Sequence, residues 1–241
     1  MGKYDQVARE AVERAYRDAA AKYARPKDAE KAAKDQLHQM TDAFMPAEAI
    51  KRARKLAELY RQGDESALAA TLRLHSSTRE RLNTAEGFYR EIYDVCGEGL
   101  TLDLACGLNP ILLGSMGRET VGMEAHGGQV EIVNLWGRMG LPIRACVCDL
   151  VTQSQFPASR TALLLKLLPV LERQEKGSSP RLMDCLKSDF AVVSFPTRTL
   201  GGRSVGMADN YESWFHENIR RGKLIHRFMT ELEMVFILDL R

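Results

Sequence analysis

Thr101-Leu102-Asp103-Leu104-Ala105-Cys106-Gly107-Leu108-Asn109-Pro110 is the stretch on which the fold turns. Thr101 to Ala105 is a short apolar run holding one acid, the pattern of a buried strand. It breaks at Gly107, and Asn109-Pro110 suits entry into a helix, whose first positions tolerate proline. Strand, glycine turn and helix is how a doubly wound α/β domain opens its ligand crevice. Glycine there lets a ligand approach the backbone without a Cβ in the way.

Outward from this turn, Thr120-Val121-Gly122-Met123 forms a second apolar segment and ends in Glu124. A carboxylate about twenty residues after the first strand can reach ribose hydroxyls. No G-x-G-x-x-G occurs, so the pyrophosphate cradle of a dinucleotide site is missing. An Asp-x-Ala-Cys-Gly turn followed by a ribose acid looks like the binding loop of an S-adenosylmethionine-dependent methyltransferase. Another α/β protein with an ordinary strand and turn is the alternative.

The remaining chain supports an α/β half and a helical half. Beyond Leu100, strands are predicted at Pro142–Cys148, Thr161–Lys166, Phe190–Phe195, Lys223–Met229 and Leu232–Leu240, which with the first two make seven. Helices are expected from Glu124 to Met139, over most of Leu168–Lys187, and over Ala208–Asn218. Before that, residues 1–98 hold only Pro26 and Pro46 and form consecutive helices. The first, Asp5–Ala24, carries a stripe of Val7, Ala11, Ala15 and Ala19; the second runs from Lys27 to Phe44. Pro46 opens a third with Ile50, Ala53, Ala57 and Tyr60, closed by Gly63, and Asp64 caps a fourth through Leu74. Ser77 and Glu80 have the spacing of a capping box for a helix carrying Leu82, Phe88, Ile92 and Val95 up to Gly97. The expected division is residues 1–98 helical and 99–241 α/β.

Bulk properties narrow the function. The net charge is +2, near neutral on both sides of residue 98, so a polyanionic partner must be met by local clusters. One such cluster is Lys51, Arg52, Arg54 and Lys55 on the third helix, either a solvated face or a phosphate-contacting one. The first 25 residues are charged throughout and lack the apolar core of a signal peptide, and no run is long enough to span a bilayer. Five cysteines without regular spacing suit reduced thiols in the cytoplasm. Cys146-x-Cys148 reads as two core residues, and no metal site is expected.

Ligands in open α/β sheets bind at the carboxyl ends of strands, which here present Asp103, Gly107, Glu124, Asp149, Lys166 and Pro196. With a nucleoside cofactor, Glu124 would accept from the ribose and Asp149 from the adenine amino group, with Leu150 over the ring. For Asp149 a helix N-cap is the alternative. After the fourth strand the chain reads Lys166-Leu167-Leu168-Pro169, not the acid-or-amide, proline and aromatic motif of enzymes that methylate exocyclic amines. The target therefore needs no deprotonation, and no general base is expected.

Four motifs together resemble one family: His75-Ser-Ser-Thr-Arg-Glu-Arg81, Asp103-Leu-Ala-Cys-Gly-Leu-Asn-Pro110, Leu165-Lys-Leu-Leu-Pro-Val-Leu-Glu-Arg173 and Ser194-Phe-Pro-Thr-Arg-Thr-Leu-Gly-Gly-Arg203. It is the aminoglycoside-resistance 16S rRNA methyltransferases that modify N7 of guanine 1405, and the resemblance covers roughly residues 30–241. It implies a Rossmann-like, seven-stranded methyltransferase domain preceded by an all-helical domain that docks on the 30S subunit, acting in the cytoplasm as a monomer. It further implies that Phe44, His75, Ser76, Ser77, Arg81, Asp103, Ala105, Gly107, Glu124, Asp149, Leu150, Leu165 and Gln174 hold S-adenosyl-L-methionine. Arg81 would pair with the methionine carboxylate. Relatives often have Asp where this chain has Glu124. Arg198 and Arg203 are the candidates for RNA phosphates beside the cluster on the third helix. Tyr211, Trp214 and Phe215 would stack on a base or form core. A methyltransferase for another RNA or a small molecule, and a non-catalytic RNA-binding protein, remain as alternatives.

Overall fold

The computed structural model describes residues 4–197 and 207–241. In chain order the elements are α1 (Arg9–Lys22), α2 (Pro26–Met40), α3 (Ala47–Arg61), α4 (Ser66–Leu72), α5 (Ser76–Arg81), α6 (Ala85–Cys96), β1 (Thr101–Leu104), α7 (Asn109–Ser115), β2 (Thr120–Glu124), α8 (Gly127–Arg138), β3 (Ile143–Val147), β4 (Ser159–Leu165), α9 (Leu168–Gln174), α10 (Ser178–Cys185), β5 (Ser188–Pro196), α11 (Met207–Asn218), β6 (Lys223–Met229) and β7 (Glu233–Asp239). The seven strands run in the order β3-β2-β1-β4-β5-β7-β6. β7 lies antiparallel to both β5 and β6, while β2–β3, β1–β4 and β4–β5 are parallel pairs. This is a Rossmann-like α/β sheet preceded by helices.

The chain forms two compact units, Met1–Leu82 with Cys106–Thr152, and Asn83–Ala105 with Gln153–Arg241. In the first, α1 packs on α2 through small residues, Ala11, Ala15 and Ala19 against Ala29, Ala33 and Leu37. Alanines on both helices let the backbones approach closely. The chain before α1 joins β2's exit: Ala8 N–H donates to Ala125 O at 2.7 Å and Gly127 N–H to Gln6 O at 2.6 Å. α3 buries Ile50, Ala53 and Ala57, and Tyr60 meets Trp136 of α8 with ring centroids 4.6 Å apart.

In the second unit, β1, β4, β5 and β7 are buried along most of their length. This is the near-continuous apolar pattern of strands covered on both faces. Phe195 stacks on Tyr211, and Phe215 lies against Phe236 with centroids 4.3 Å apart and planes 9° from parallel. Phe215 is buried, so this face of α11 is core rather than a surface for stacking on a base.

Several local expectations are corrected. The helix expected to run from Ser77 to Gly97 is two, α5 and α6, because the backbone leaves helical geometry at Thr84. The Ser77–Glu80 capping box does not form: His75 is the N-cap of α5, and Ser77 sits inside the first turn. Leu168–Lys187 is mostly helix as expected, in two pieces, α9 and α10, with Gly177 at a φ of +80° between them. Cys146 is exposed and Cys148 half-buried rather than core, because β3 lies at the end of the strand order, where one side of a strand has no neighbour.

Candidate functional site

The glycine turn is built in the first unit, where β2 ends. Cys106 N–H donates to Met123 O at 3.2 Å, bringing the turn alongside the strand. Glu124 then closes it: Gly107 N–H donates to Oε2 at 3.0 Å, and His126 N–H to Oε1 at 3.1 Å. Burial pushes the Glu124 carboxyl above its ordinary range, and the backbone N–H donors of Gly107, His126 and Ala125 oppose that shift. One carboxylate thus fixes two backbone turns, and with three backbone donors on its two oxygens it keeps one further lone pair for a ligand hydroxyl.

Gly107 has φ of +53°, and a Cβ added there would lie 2.5 Å from Cε1 and Nε2 of His75. The imidazole covers the space that a side chain would fill, so the glycine is required by both conformation and contact. His75 is buried, with the Ser77 hydroxyl 3.1 Å from Nδ1. Phe44 lies parallel to it, centroids 6.0 Å apart and planes 12° from parallel. The Ser76 N–H donates to Phe44 O at 3.1 Å, tying the start of α5 to the α2–α3 connection. Burial first, and the nearby Arg81 guanidinium second, lower the His75 pKa to about 4.

A pH dependence follows. The folded pKa lies below the unfolded value of about 6.5, so between about pH 6.5 and 4 the unfolded chain binds the extra proton. Stability is therefore expected to fall as pH drops through that window. Urea unfolding of the wild type and of His75→Gln at several pH values checks this; an unchanged slope in the variant would assign the effect elsewhere.

Asp149, after β3, is buried and bidentate with Arg14 of α1: Nη2 donates to Oδ1 at 2.8 Å and Nε to Oδ2 at 3.3 Å. Val151 N–H also donates to Oδ1, at 3.2 Å. Residues 150–152 form a turn and no helix follows, so the N-cap alternative for Asp149 is overturned. Leu150 beside it is buried. Arg14 escaped the sequence reading, which placed no weight on the first 25 residues. Its signal is a charge inside an apolar stripe, three residues after Ala11 and next to Ala15.

The first unit therefore gathers Phe44, His75, Ser76, Ser77, Gly107, Glu124, Asp149 and Leu150, with Arg81 buried at the end of α5. In the second unit, Asp103 is buried in mid-β1, paired in register with Leu163, and Ala105 follows at φ +55°. Leu165 ends β4 before Lys166 at φ +56°, and Gln174 ends α9. Positive φ at two non-glycine residues costs about 1–2 kcal/mol each and marks the ends of β1 and β4 as strained positions. The basic cluster on α3 divides. Arg54 is bidentate with Glu131 of α8 at 2.9 and 2.6 Å, and Lys51 pairs with Glu48 at 2.8 Å. Arg52 and Lys55 have no ion pair among the described residues. Arg198 and Arg203 lie outside the described residues.

Residues 1–237 match the model of the ribosomal RNA methyltransferase (FmrO) family. The chain belongs to that family. Among curated relatives, the 16S rRNA (guanine(1405)-N(7))-methyltransferase of Serratia marcescens is 34% identical over 215 residues, covering 88% of this chain and 83% of that protein. The enzyme of the same name from Frankia casuarinae is 35% identical over 252 residues, covering 98% and 88%. Among solved structures, the 16S rRNA methyltransferase RmtF in complex with S-adenosyl-L-homocysteine superposes with a TM-score of 0.92 at 45% identity, covering 99% of this chain and 93% of that one.

Proposed function

We propose that this chain transfers the methyl group of S-adenosyl-L-methionine to N7 of guanine 1405 in the 16S rRNA of the 30S subunit. The supporting observation is the Glu124–Gly107–His75 assembly. It brings His75 of the first motif, Gly107 of the second and Glu124 together at one backbone turn. The residues fit the cofactor: a glycine turn packed under His75, a carboxylate with a remaining lone pair for the ribose, and a buried guanidinium for the methionine carboxylate. The cofactor supplies an electrophilic methyl group on sulfonium sulfur.

The chain's own work is positioning. Arg81 forms a charge-assisted contact with the methionine end, Glu124 orients the ribose, and Asp149 accepts from the adenine amino group with Leu150 against the ring. Phe44, Ser76, Ser77, Asp103, Ala105, Leu165 and Gln174 carry the same assignment to cofactor binding from the family pattern. Guanine N7 has an in-plane lone pair, so no residue need remove a proton, and catalysis is alignment plus electrostatics. The target base is extruded from its stack, as base-modifying enzymes require.

The helices of residues 1–98 dock on the subunit, with Lys51, Arg52 and Lys55 toward phosphates and Arg198 and Arg203 as further RNA contacts. Methylation at this position would confer resistance to aminoglycosides of the decoding site. Action on 30S subunits would place the enzyme in the cytoplasm, and we propose that it acts as a monomer. Among the described residues no helix is long and apolar enough to cross a membrane.

The deciding experiment offers labelled S-adenosylmethionine to purified 30S subunits and to protein-free 16S rRNA, then cleaves at 7-methylguanine with borohydride and aniline. Incorporation into 30S with a single scission at guanine 1405 is expected; incorporation without it would move the target. Arg81→Ala is expected to weaken cofactor binding about 10- to 100-fold by calorimetry. Replacing Lys51, Arg52 and Lys55 together should weaken subunit binding and leave cofactor affinity intact, measured by filter binding beside the same calorimetry.

A further inference from the structure

The first unit carries a concavity of about 580 Å³ bounded by the α2–α3 connection, α3, α4 and α5. Its wall is apolar and aromatic, with Phe44 and Leu74 among its residues, and three guanidinium groups line it: Arg52, Arg73 and Arg79. No carboxylate lines it. All three arginines are exposed, and none has an ion pair among the described residues. Seven other arginines, Arg9, Arg25, Arg54, Arg61, Arg181, Arg227 and Arg241, each lie within 3.0 Å of a carboxylate oxygen. Arg90, Arg144, Arg173 and Arg220 are exposed without an ion pair among the described residues as well, so what distinguishes Arg52, Arg73 and Arg79 is that they line one cleft. Three unneutralised cations on one cleft are the local positive charge that a net charge of +2 conceals.

The cleft also has a defined place beside the turn. Phe44 and Ser76 belong to its lining. Phe44 lies parallel to His75, and His75 packs on Gly107. This pair of rings links the cleft lining to the glycine turn.

We propose that this cleft seats the phosphodiester backbone of the RNA next to the target nucleotide, with Arg73 and Arg79 as its principal anchors and Arg52 at its edge. Guanidinium forks match phosphate oxygens bidentately, and contacts of this kind set register on a nucleic acid without reading its sequence. Three cations exceed what one cofactor carboxylate requires, and the volume falls within the range of sites that enclose a small molecule or a nucleotide-sized group. Polyanion binding also explains why the charges are left without acidic neighbours: an internal ion pair would compete with every phosphate. The residues act as one device, in which backbone anchoring at Arg73 and Arg79 fixes where the extruded base meets the turn.

The inference rests on the proposed 30S substrate, and its test separates the two. Wild-type chain, R73E/R79E, R73Q/R79Q and R73K/R79K are compared for 30S affinity across a potassium chloride series and for cofactor affinity by calorimetry. Because both arginines are exposed, folding should survive, and thermal unfolding of each variant confirms it. R73E/R79E is expected to lose at least about 10-fold in 30S affinity, with the salt slope shallower by about two. R73Q/R79Q should lose less, R73K/R79K should remain near wild type, and cofactor affinity should not change in any of them. Unchanged 30S affinity and slope in R73E/R79E, while the wild type methylates 30S, would overturn this inference alone. Loss of cofactor affinity with 30S binding intact would also overturn it, by assigning the cleft to the cofactor. A wild type that fails to methylate 30S would instead overturn the substrate assignment.

Discussion

Arg14→Ala should destabilise the protein by about 3–5 kcal/mol, because it strands the buried Asp149 carboxylate without its bidentate partner. Both side chains are nearly inaccessible, at 2% and 4%, so water cannot replace the lost contact. For a chain of this size that corresponds to a melting temperature lower by on the order of 10 °C. Thermal and urea unfolding read the effect directly, and a loss below about 1 kcal/mol would mean the site opens to solvent easily. A second variant separates stability from function. Arg14→Met with Asp149→Leu replaces the pair by apolar groups, which often restores or exceeds the original stability. If Asp149 accepts from adenine, that double variant should recover its melting temperature and still bind the cofactor poorly. Recovery of both would remove Asp149 from the cofactor site.

Gly107→Ala should have the larger effect on binding. The substitution places a Cβ at a φ of +53°, at a cost of about 1–2 kcal/mol. It also drives that carbon to 2.5 Å from the ring of a buried His75. The ring cannot retreat cheaply, since Phe44 lies parallel to it and Ser77 is within hydrogen-bonding distance of Nδ1. Either the turn shifts and releases the Glu124 contact, or the imidazole leaves its place. Cofactor affinity is expected to fall by at least about 100-fold, as both strain and displaced contacts act on the same turn. Calorimetry on the folded variant measures this, and near-normal affinity would show that the ligand does not approach the turn.

The two cases differ in how legible they were. The importance of Gly107 can be read from the chain, because a glycine between an apolar run and Asn109-Pro110 is a local signal. The same holds for Glu124 at the end of β2, and for the strand β6, whose predicted bounds coincide with the observed ones. Errors arose where local signals compete. Ser77 and Glu80 have capping-box spacing, yet His75 takes the N-cap position, so the helix starts two residues earlier than the box requires. Cys146 and Cys148 lie in a strand-like run, but whether such a strand has neighbours on both sides depends on sheet order.

The alternation of strand, glycine turn and helix, the carboxylates at strand ends and the motifs that mark the family are legible in the chain, because they depend on backbone conformation and on patterns a few residues long. Long-range packing is what lays Arg14 on Asp149, 135 residues away. It alone decided that Arg54 is spent on Glu131 while Arg52 is not, and that Arg73 and Arg79 face the same cleft. A side chain's charge is written in the sequence, but whether that charge is buried, paired or left for a ligand depends on which distant elements pack beside it.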